Sequence, residues 1–154
     1  MAKKGLPIIQ EVTITDIAAQ GKALTRIDNF VTFVLNALPG DVVDIQVVRR
    51  RKSYQEAYAV RFHSLSDKRT EPFCEHFGIC GGCRWQDLKY SEQLYYKQKE
   101  VSDILSRIGH IPFPTPDPII GSKSEKFYRN KLEFTFTNWR WLSPEEIQKR
   151  EEIT

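Results

Sequence analysis

The stretch FVTFVLNALPGDVVDIQV, residues 30–47, contains the strongest indication of the fold. Its first five residues are aromatic or mostly β-branched, and Val43, Ile45 and Val47 later alternate with polar residues, as in a strand with one buried face. Between them lies Leu38-Pro39-Gly40-Asp41, which is typical of a tight turn, because proline presets its φ and glycine tolerates a positive φ. The stretch therefore predicts two short strands joined through this turn.

The same pattern extends in both directions and predicts a small β-barrel. Further strands are expected at residues 11–15, 21–27 and 54–62, each bounded by turn-forming residues. Five short strands within about 55 residues, with no helical periodicity, are typical of a small barrel of the OB or SH3 kind. We therefore predict a mainly β fold, with an OB-like five-stranded barrel over residues 1–63.

The remaining residues, 64–154, predict a second unit of α+β character that is incomplete. Its most regular part is an amphipathic helix, in which Ser91 is the expected N-cap, Gly109 the expected stop, and Leu94, Gln98, Val101, Leu105 and Ile108 the expected buried stripe. The other predicted segments of this unit flank the helix. In order they are a cysteine-rich loop (71–90), the helix (91–109), a proline-rich linker (111–120) and a strand (127–138).

Composition excludes several classes of protein. The chain has 154 residues, of which 40% are hydrophobic and 28% charged, with a net charge of +3, as in ordinary globular proteins. No apolar run approaches the roughly 20 residues of a membrane span, and the N-terminus lacks the apolar segment of a signal peptide. We therefore expect a cytoplasmic protein without membrane partners. Residues 1–70 carry 11 Lys/Arg against 7 Asp/Glu, which favours a polyanionic partner for the first half.

The cysteines form the sharpest chemical motif. All three, Cys74, Cys80 and Cys83, fall within ten residues in the spacing C-x5-C-x2-C, with glycines between them. Clustering of this kind indicates a shared ligand, and the odd number of cysteines disfavours a disulfide framework. The spacing alone leaves an iron–sulfur cluster and a zinc ion as alternatives. Either site usually takes a fourth ligand, for which the alternatives are a histidine (His76, His63 or His110) and a cysteine that this chain lacks.

Two groups of motifs resemble a known enzyme family. Residues 14–23, Phe33-Val34 and Leu38-Pro39-Gly40-Asp41 resemble a TRAM domain, the small RNA-binding barrel attached to RNA-modifying enzymes. The loop C-x5-C-x2-C-Arg84-Trp85-Gln86, the helix after it and Tyr128-Arg129-Asn130-Lys131 resemble the 23S rRNA (uracil-5-)-methyltransferases. This resemblance covers nearly the whole chain, and the order of the motifs is specific.

The resemblance implies a methyltransferase that uses S-adenosylmethionine to methylate C5 of a uridine in 23S rRNA, and hence a role in rRNA processing. It implies that Cys74, Cys80 and Cys83 bind a [4Fe-4S] cluster. The family's fourth cluster cysteine, its S-adenosylmethionine-binding domain, its catalytic cysteine and its general base lie further along. This chain then holds no catalytic residue and no S-adenosylmethionine-binding residue, and we expect it to be inactive by itself.

Ribosomal RNA is the partner that the resemblance implies, and the basic residues are the candidates to bind it. The candidates for phosphate contacts are Arg49, Arg50, Arg51, Lys52, Lys22, Arg26, Arg129 and Lys131. Tyr54 and Phe30 are candidates for stacking on unpaired bases, although an aromatic residue in a barrel strand is more often part of the core. The alternative interpretation is a stand-alone RNA-binding module with a structural zinc site. The sequence does not indicate an oligomeric state.

Overall fold

A computed structural model describes residues 6–79, 82–128, 131, 136–139, 142 and 146. Its regular elements are six strands, a single 3-10 turn at Ala19–Gly21 between β2 and β3, and one α-helix after the strands. The strands are β1 (Ile8–Thr13), β2 (Asp16–Ala18), β3 (Lys22–Ile27), β4 (Phe30–Leu35), β5 (Val42–Arg50) and β6 (Tyr54–Ser64). The helix α1 spans Tyr90–Asp103 and continues as a π-helical segment, Ile104–Ile108. No helix in the part of the chain that the structure describes is long and apolar enough to span a membrane.

The strands form one mixed sheet in the order β1-β5-β6-β4-β3-β2. All neighbours are antiparallel except β4 and β6, which run parallel. The predicted mainly β fold is confirmed, with six strands instead of five. The strand predicted at residues 11–15 corresponds to the end of β1, and the additional strand, β2, follows it at Asp16–Ala18, where no strand was predicted. Between β1 and β2 the chain changes its pairing partner. The N–H of Ile14 donates to the Asp41 carbonyl, just before β5, at 2.9 Å, whereas the N–H of Thr15 donates to the Leu24 carbonyl of β3 at 3.1 Å.

The sheet buries an aliphatic core on its inner face. Val43, Ile45 and Ala57 are fully inaccessible there, and the whole cluster comprises Val12, Ile14, Ala23, Val34, Ala37, Val43, Ile45, Val47 and Ala57. Thr32 of β4 is also fully buried, and its hydroxyl accepts a hydrogen bond from the Gln55 side chain at 3.0 Å. Satisfying the buried hydroxyl in this way avoids the free-energy cost of an unpaired polar group. Thr32 is therefore part of the core face of β4, and the neighbouring Phe33 lies on the other face.

The predicted helix forms, but its buried side differs from the prediction. Lys89 precedes the first turn, so Ser91 lies inside the helix and is not its N-cap. Tyr96 is the buried residue of α1, whereas Val101 and Ile108 of the expected stripe are 54% and 75% exposed. Gln98, another residue of the expected stripe, makes polar contacts instead of entering the core. The Gln98 side chain donates to the Asp117 carbonyl at 3.1 Å and accepts from the N–H of Ile119 at 2.9 Å, which holds the proline-rich segment along the helix.

A second apolar cluster joins the helix to the sheet. Ile17 of β2 and Leu38 of the turn before β5 pack with Leu88 and Tyr96, and Trp85 borders them. Leu88 is fully buried, so it anchors the segment between the cysteine loop and the helix. Around this cluster Lys99 pairs with Asp103 at 2.8 Å and with Asp16 of β2 at 2.9 Å. These two carboxylates, Asp103 more than Asp16, raise the pKa of Lys99.

A buried ionic network fixes the chain immediately after β6. The guanidinium of Arg69 donates to both carboxylate oxygens of Asp41, at 2.9 and 2.6 Å, and also to Asp87. The two oxygens of Asp41, which is fully buried, further accept the backbone N–H groups of Leu38 and Ser66, at 2.7 and 2.9 Å. The turn that the sequence predicts at residues 38–41 therefore also anchors the connector after β6, through the bonds from Ser66 and Arg69 to Asp41.

The network shifts the pKa values of its members in different directions. Burial opposes ionisation of Asp41, but the hydrogen bonds from Arg69 and from the two backbone N–H groups outweigh burial and lower its pKa. Burial is the dominant effect on Asp87 and raises the pKa of that carboxyl. Its Oδ1 atom is buried without a hydrogen-bond partner among the described residues. Asp41 is therefore the principal partner of Arg69.

Candidate nucleic-acid interface and cysteine loop

The outer side of the sheet carries a row of aromatic rings. In the pairing of β4 with β6, Val31 lies opposite Tyr54, Phe33 opposite Glu56, and Leu35 opposite Tyr58. The rings of Phe33 and Tyr54 meet edge to face with their centroids 5.6 Å apart, and Tyr58 is 43% exposed. We call Phe33, Tyr54, Tyr58, Glu56, Lys22 and Arg49 the aromatic face. Three accessible rings on neighbouring strands are suited to stacking on unpaired bases.

Two of the predicted phosphate-binding residues border these rings and share one carboxylate. Lys22 of β3 lies with its Nζ 3.6 Å from one oxygen of Glu56 and 5.9 Å from the centre of the Phe33 ring. Arg49 of β5 lies opposite Glu56 in the sheet, with Nη1 3.8 Å from the other carboxylate oxygen. The structure therefore brings Lys22 and Arg49, which are 27 residues apart in the sequence, to opposite sides of Glu56.

The remaining basic residues of the predicted cluster lie where the turn after β5 meets the start of β4. Arg50 places its guanidinium 5.2 Å from the centre of the Phe30 ring. Arg51 and Lys52 are exposed in the turn, which is closed by a hydrogen bond from the Arg51 N–H to the Tyr54 carbonyl at 2.8 Å. Phe30, predicted as a stacking residue, is half-buried and lies against Arg50.

The other candidates are more scattered. Arg26 of β3 is exposed, and its cross-strand neighbour is Val31, which lies opposite Tyr54, so it extends the same side of the sheet. Lys131 is exposed, and Arg129 lies outside the described residues. Half of the strand predicted at 127–138 also lies outside them.

Sequence reasoning did not select Phe33, Tyr58 or Glu56 as site residues. The available signal was the phase of β4 and β6. Once Thr32 and Val34 face the core, Phe33 must face outward, because side chains alternate along a strand. The phase was ambiguous because residues 30–34 contain apolar residues in both registers. Tyr54 was selected as a candidate, and the structure places it half-exposed on the outer side.

The cysteine loop is joined to the sheet at its C-terminal end. Arg84 donates to the carbonyl of Gln20 at 2.8 Å, and the indole N–H of Trp85 donates to the carbonyl of Gly21 at 3.3 Å. Gly21 has a φ of +71°, and a Cβ there would lie 2.9 Å from the indole nitrogen. Glycine is therefore required at this position both for the backbone conformation and for the contact with Trp85.

The described part of the loop contains two of the three cysteines. Cys74 is half-buried, and its N–H donates to the side-chain oxygen of Gln86 at 2.8 Å, while Cys83 is exposed. Both carry free thiols. A turn at Gly78, with a φ of +82°, reverses the chain between them. Cys80 lies outside the described residues.

Cys74 and Cys83 lie on either side of the turn at Gly78 and are not joined by a disulfide, and thiolates are the soft ligands that zinc ions and iron–sulfur clusters take. Within the described residues, no three His, Cys, Asp or Glu side chains are grouped to hold a metal ion, and Cys80 is not among those residues. His76, a possible fourth ligand for zinc, is 71% exposed and lies 3.9 Å from Glu75.

A comparison of the sequence with models of known protein families finds a match that coincides with the sheet. Residues 9–60 match the model of the TRAM domain, and this range includes β1 except Ile8, all of β2 to β5 and most of β6. Residues 9–60 are a TRAM domain. All six residues of the aromatic face belong to the TRAM domain, whereas the cysteine loop and helix α1 follow it.

The chain as a whole is related to proteins named uncharacterized RNA methyltransferases. It is 55% identical over 133 residues to one from Bacteroides thetaiotaomicron and 48% identical over 136 residues to one from Porphyromonas gingivalis. These alignments cover 86% and 88% of this chain but 29% of each relative. The chain thus spans less than a third of the length of these curated relatives. Since the matches extend well beyond residue 60, the relationship includes the segments that follow the TRAM domain.

Among solved structures, the chain is similar to the Pyrococcus abyssi tRNA (uracil-54, C5)-methyltransferase, solved in complex with S-adenosyl-L-homocysteine. The identity is 27%, the TM-score is 0.42, and the match covers 63% of this chain and 21% of that protein.

Proposed function

We propose that this chain is the RNA-binding and iron–sulfur part of an S-adenosylmethionine-dependent methyltransferase that methylates C5 of a uridine in 23S rRNA. The observation that carries the RNA-binding part is the aromatic face on the outer side of the TRAM domain. Its rings and flanking cations can meet the two chemical components of an unpaired RNA segment, bases and phosphates. The relationship to RNA methyltransferases supports the enzymatic context.

The aromatic face favours unpaired RNA over duplex RNA. Stacking requires bases that are splayed out of a helix, because an A-form duplex exposes phosphates and the shallow minor groove. Phe33 and Tyr54 are 5.6 Å apart, and Lys22 and Arg49 lie at their border. Exposed Arg51 and Lys52 extend the positive charge beyond the rings. The substrate region is therefore a loop or another single-stranded segment of the rRNA.

The cysteine loop is the proposed cluster site. Cys74, Cys80 and Cys83 would hold the [4Fe-4S] cluster, and the cluster would supply a rigid structural centre for the loop. The chain also positions the loop relative to the TRAM domain, because Arg84 and Trp85 at the end of the loop donate hydrogen bonds to the carbonyls of Gln20 and Gly21. The S-adenosylmethionine site and the catalytic residues of the proposed enzyme are assigned to no residue of this chain.

We expect Phe33→Leu and Tyr54→Leu each to weaken binding of an unstructured 12-nucleotide RNA by about tenfold. Each change retains apolar bulk but removes a π-face, and base–aromatic stacking contributes about 1–3 kcal/mol per base. Fluorescence anisotropy with the 154-residue chain measures the dissociation constant, and circular dichroism verifies the fold. Tyr95→Leu is the matched control, since Tyr95 is 57% exposed on helix α1. An equal effect of all three substitutions would contradict the assignment of the aromatic face to RNA.

We expect the anaerobically purified chain to contain iron and acid-labile sulfide, with visible absorption that is lost when Cys74→Ser and Cys83→Ser are introduced together. The reason is that soft thiolates are the required ligands of such clusters. Metal analysis and the visible spectrum measure the outcome. One zinc per chain without sulfide would contradict the iron–sulfur proposal and favour an RNA-binding module with a structural zinc site.

A further inference from the structure

Glu56 is an unusual residue for the centre of a surface that binds a polyanion. It lies opposite Phe33 on one side and opposite Arg49 on the other, so three strands place it among the rings. Its side chain is 26% exposed. A carboxylate at this position repels phosphates, so attraction between charges on this face and RNA does not account for Glu56.

The ionic contacts of Glu56 leave its oxygens available. The distances to Lys22 Nζ and Arg49 Nη1 are 3.6 and 3.8 Å, longer than a hydrogen bond, and the described residues give its carboxylate no hydrogen-bond donor within 3.5 Å. Half-exposed ion pairs of this length contribute little to folding stability. The two cations nevertheless keep the carboxylate in an electropositive setting. Glu56 is therefore placed as a charged acceptor beside a stacking platform.

We propose that Glu56 makes the aromatic face selective for guanine in unpaired RNA, by accepting hydrogen bonds from the Watson–Crick edge of a base stacked on the Phe33–Tyr54 pair. This inference rests on the proposed binding of RNA to the same face. An ionised carboxylate only accepts hydrogen bonds, and it can accept two in parallel. Guanine is the base that offers two adjacent donors, N1–H and the N2 amino group, on that edge.

The other bases match this acceptor less well. Uracil presents a single N–H between two carbonyl oxygens, and those oxygens would face the carboxylate. Adenine and cytosine each present one amino group beside an unprotonated ring nitrogen. When the wrong base leaves a shielded polar group of the protein unpaired, the complex loses more binding free energy than when it loses apolar contacts alone. The selectivity therefore follows from the donor pattern of the base and not from its size.

The test compares unstructured RNA 8-mers that differ in one central base, guanine, inosine, adenine or uracil, in an otherwise adenine context. With the 154-residue chain we expect the guanine 8-mer to bind about tenfold more tightly than the adenine 8-mer, because only guanine can form the bidentate pair with the carboxylate. Inosine, which lacks the N2 amino group, should fall between them. In Glu56→Gln the preference for guanine over adenine should shrink to less than about twofold. The glutamine amide keeps one acceptor oxygen but replaces the other with an NH₂ donor, which cannot accept the second hydrogen bond from guanine.

Two controls separate the outcomes. Glu71→Gln removes the same charge from an exposed residue outside the TRAM domain, and it should leave the guanine preference intact. Glu56→Asp keeps the carboxylate and should retain part of the preference. Equal binding of the guanine and adenine 8-mers by the unmodified chain, or a preference that persists in Glu56→Gln, would overturn the role of Glu56 while leaving RNA binding in place. Failure of every 8-mer to bind would instead refute the proposed function.

Discussion

Arg69→Met should lower the free energy of unfolding by about 3–5 kcal/mol, the largest single effect that we expect from a charged residue. The guanidinium holds both oxygens of Asp41, a carboxylate that is fully buried, and also contacts Asp87. Removing one partner of a buried ion pair leaves an uncompensated charge in a medium of low polarity. Asp41 retains its two backbone donors, but these do not neutralise its charge. Chemical denaturation followed by circular dichroism measures the loss.

The same substitution at Arg107 is the matched control. Arg107 is 75% exposed and pairs with Asp103 on the helix surface, where an ion pair is worth less than about 1 kcal/mol. The double variant Asp41→Asn/Arg69→Met should be more stable than the sum of the two single losses predicts, because neither charge is then left alone. A loss for Arg69→Met no larger than that for Arg107→Met would show that the buried network contributes no net stability.

Leu88→Ala should lower the free energy of unfolding by about 2–5 kcal/mol, because it removes buried methyl groups and leaves a cavity. Leu88 is fully buried among Ile17, Leu38 and Tyr96, so the cavity would open between the TRAM domain and helix α1. We further expect faster amide hydrogen exchange in the helix than in strands β4 and β5, since the cluster is the principal apolar contact that anchors α1. Denaturation and hydrogen exchange with mass spectrometry provide the two measurements.

Leu65→Ala is the corresponding control for Leu88. Leu65 lies in the connector after β6 and is 65% exposed, so its truncation should cost less than about 0.5 kcal/mol. Equal effects at positions 65 and 88 would mean that the second apolar cluster is not a determinant of stability. An unchanged exchange rate in α1, despite a loss of stability, would show that the helix is held by its polar contacts, such as Lys99 with Asp16.

The sequence by itself determined the mainly β first part, the turn at residues 38–41 and the presence of a helix after the cysteine loop. Each depends on local chemistry. The ring of Pro39 restricts its φ, whereas Gly40 can take positive values of φ, and its observed φ is +94°. The alternation of Val43, Ile45 and Val47 with polar residues has one consistent phase, and all three are buried. The cysteine spacing likewise indicated a common ligand without reference to any fold.

Only the tertiary structure decided which sides of these elements are buried. The helix stripe predicted from its periodicity is not the buried side of the helix, since Val101 and Ile108 are exposed and its other three residues are only half-buried. The buried side contains Tyr96, which packs against Ile17 and Leu38, more than 50 residues away in the sequence. The phase of β4 was equally undetermined, since burial of Thr32 depends on the amide of Gln55 in a neighbouring parallel strand. Long-range pairing of this kind placed Lys22, Arg49 and Glu56 together on the aromatic face. A local sequence pattern contains no information about which distant strand becomes the neighbour, and that neighbour determined the candidate site.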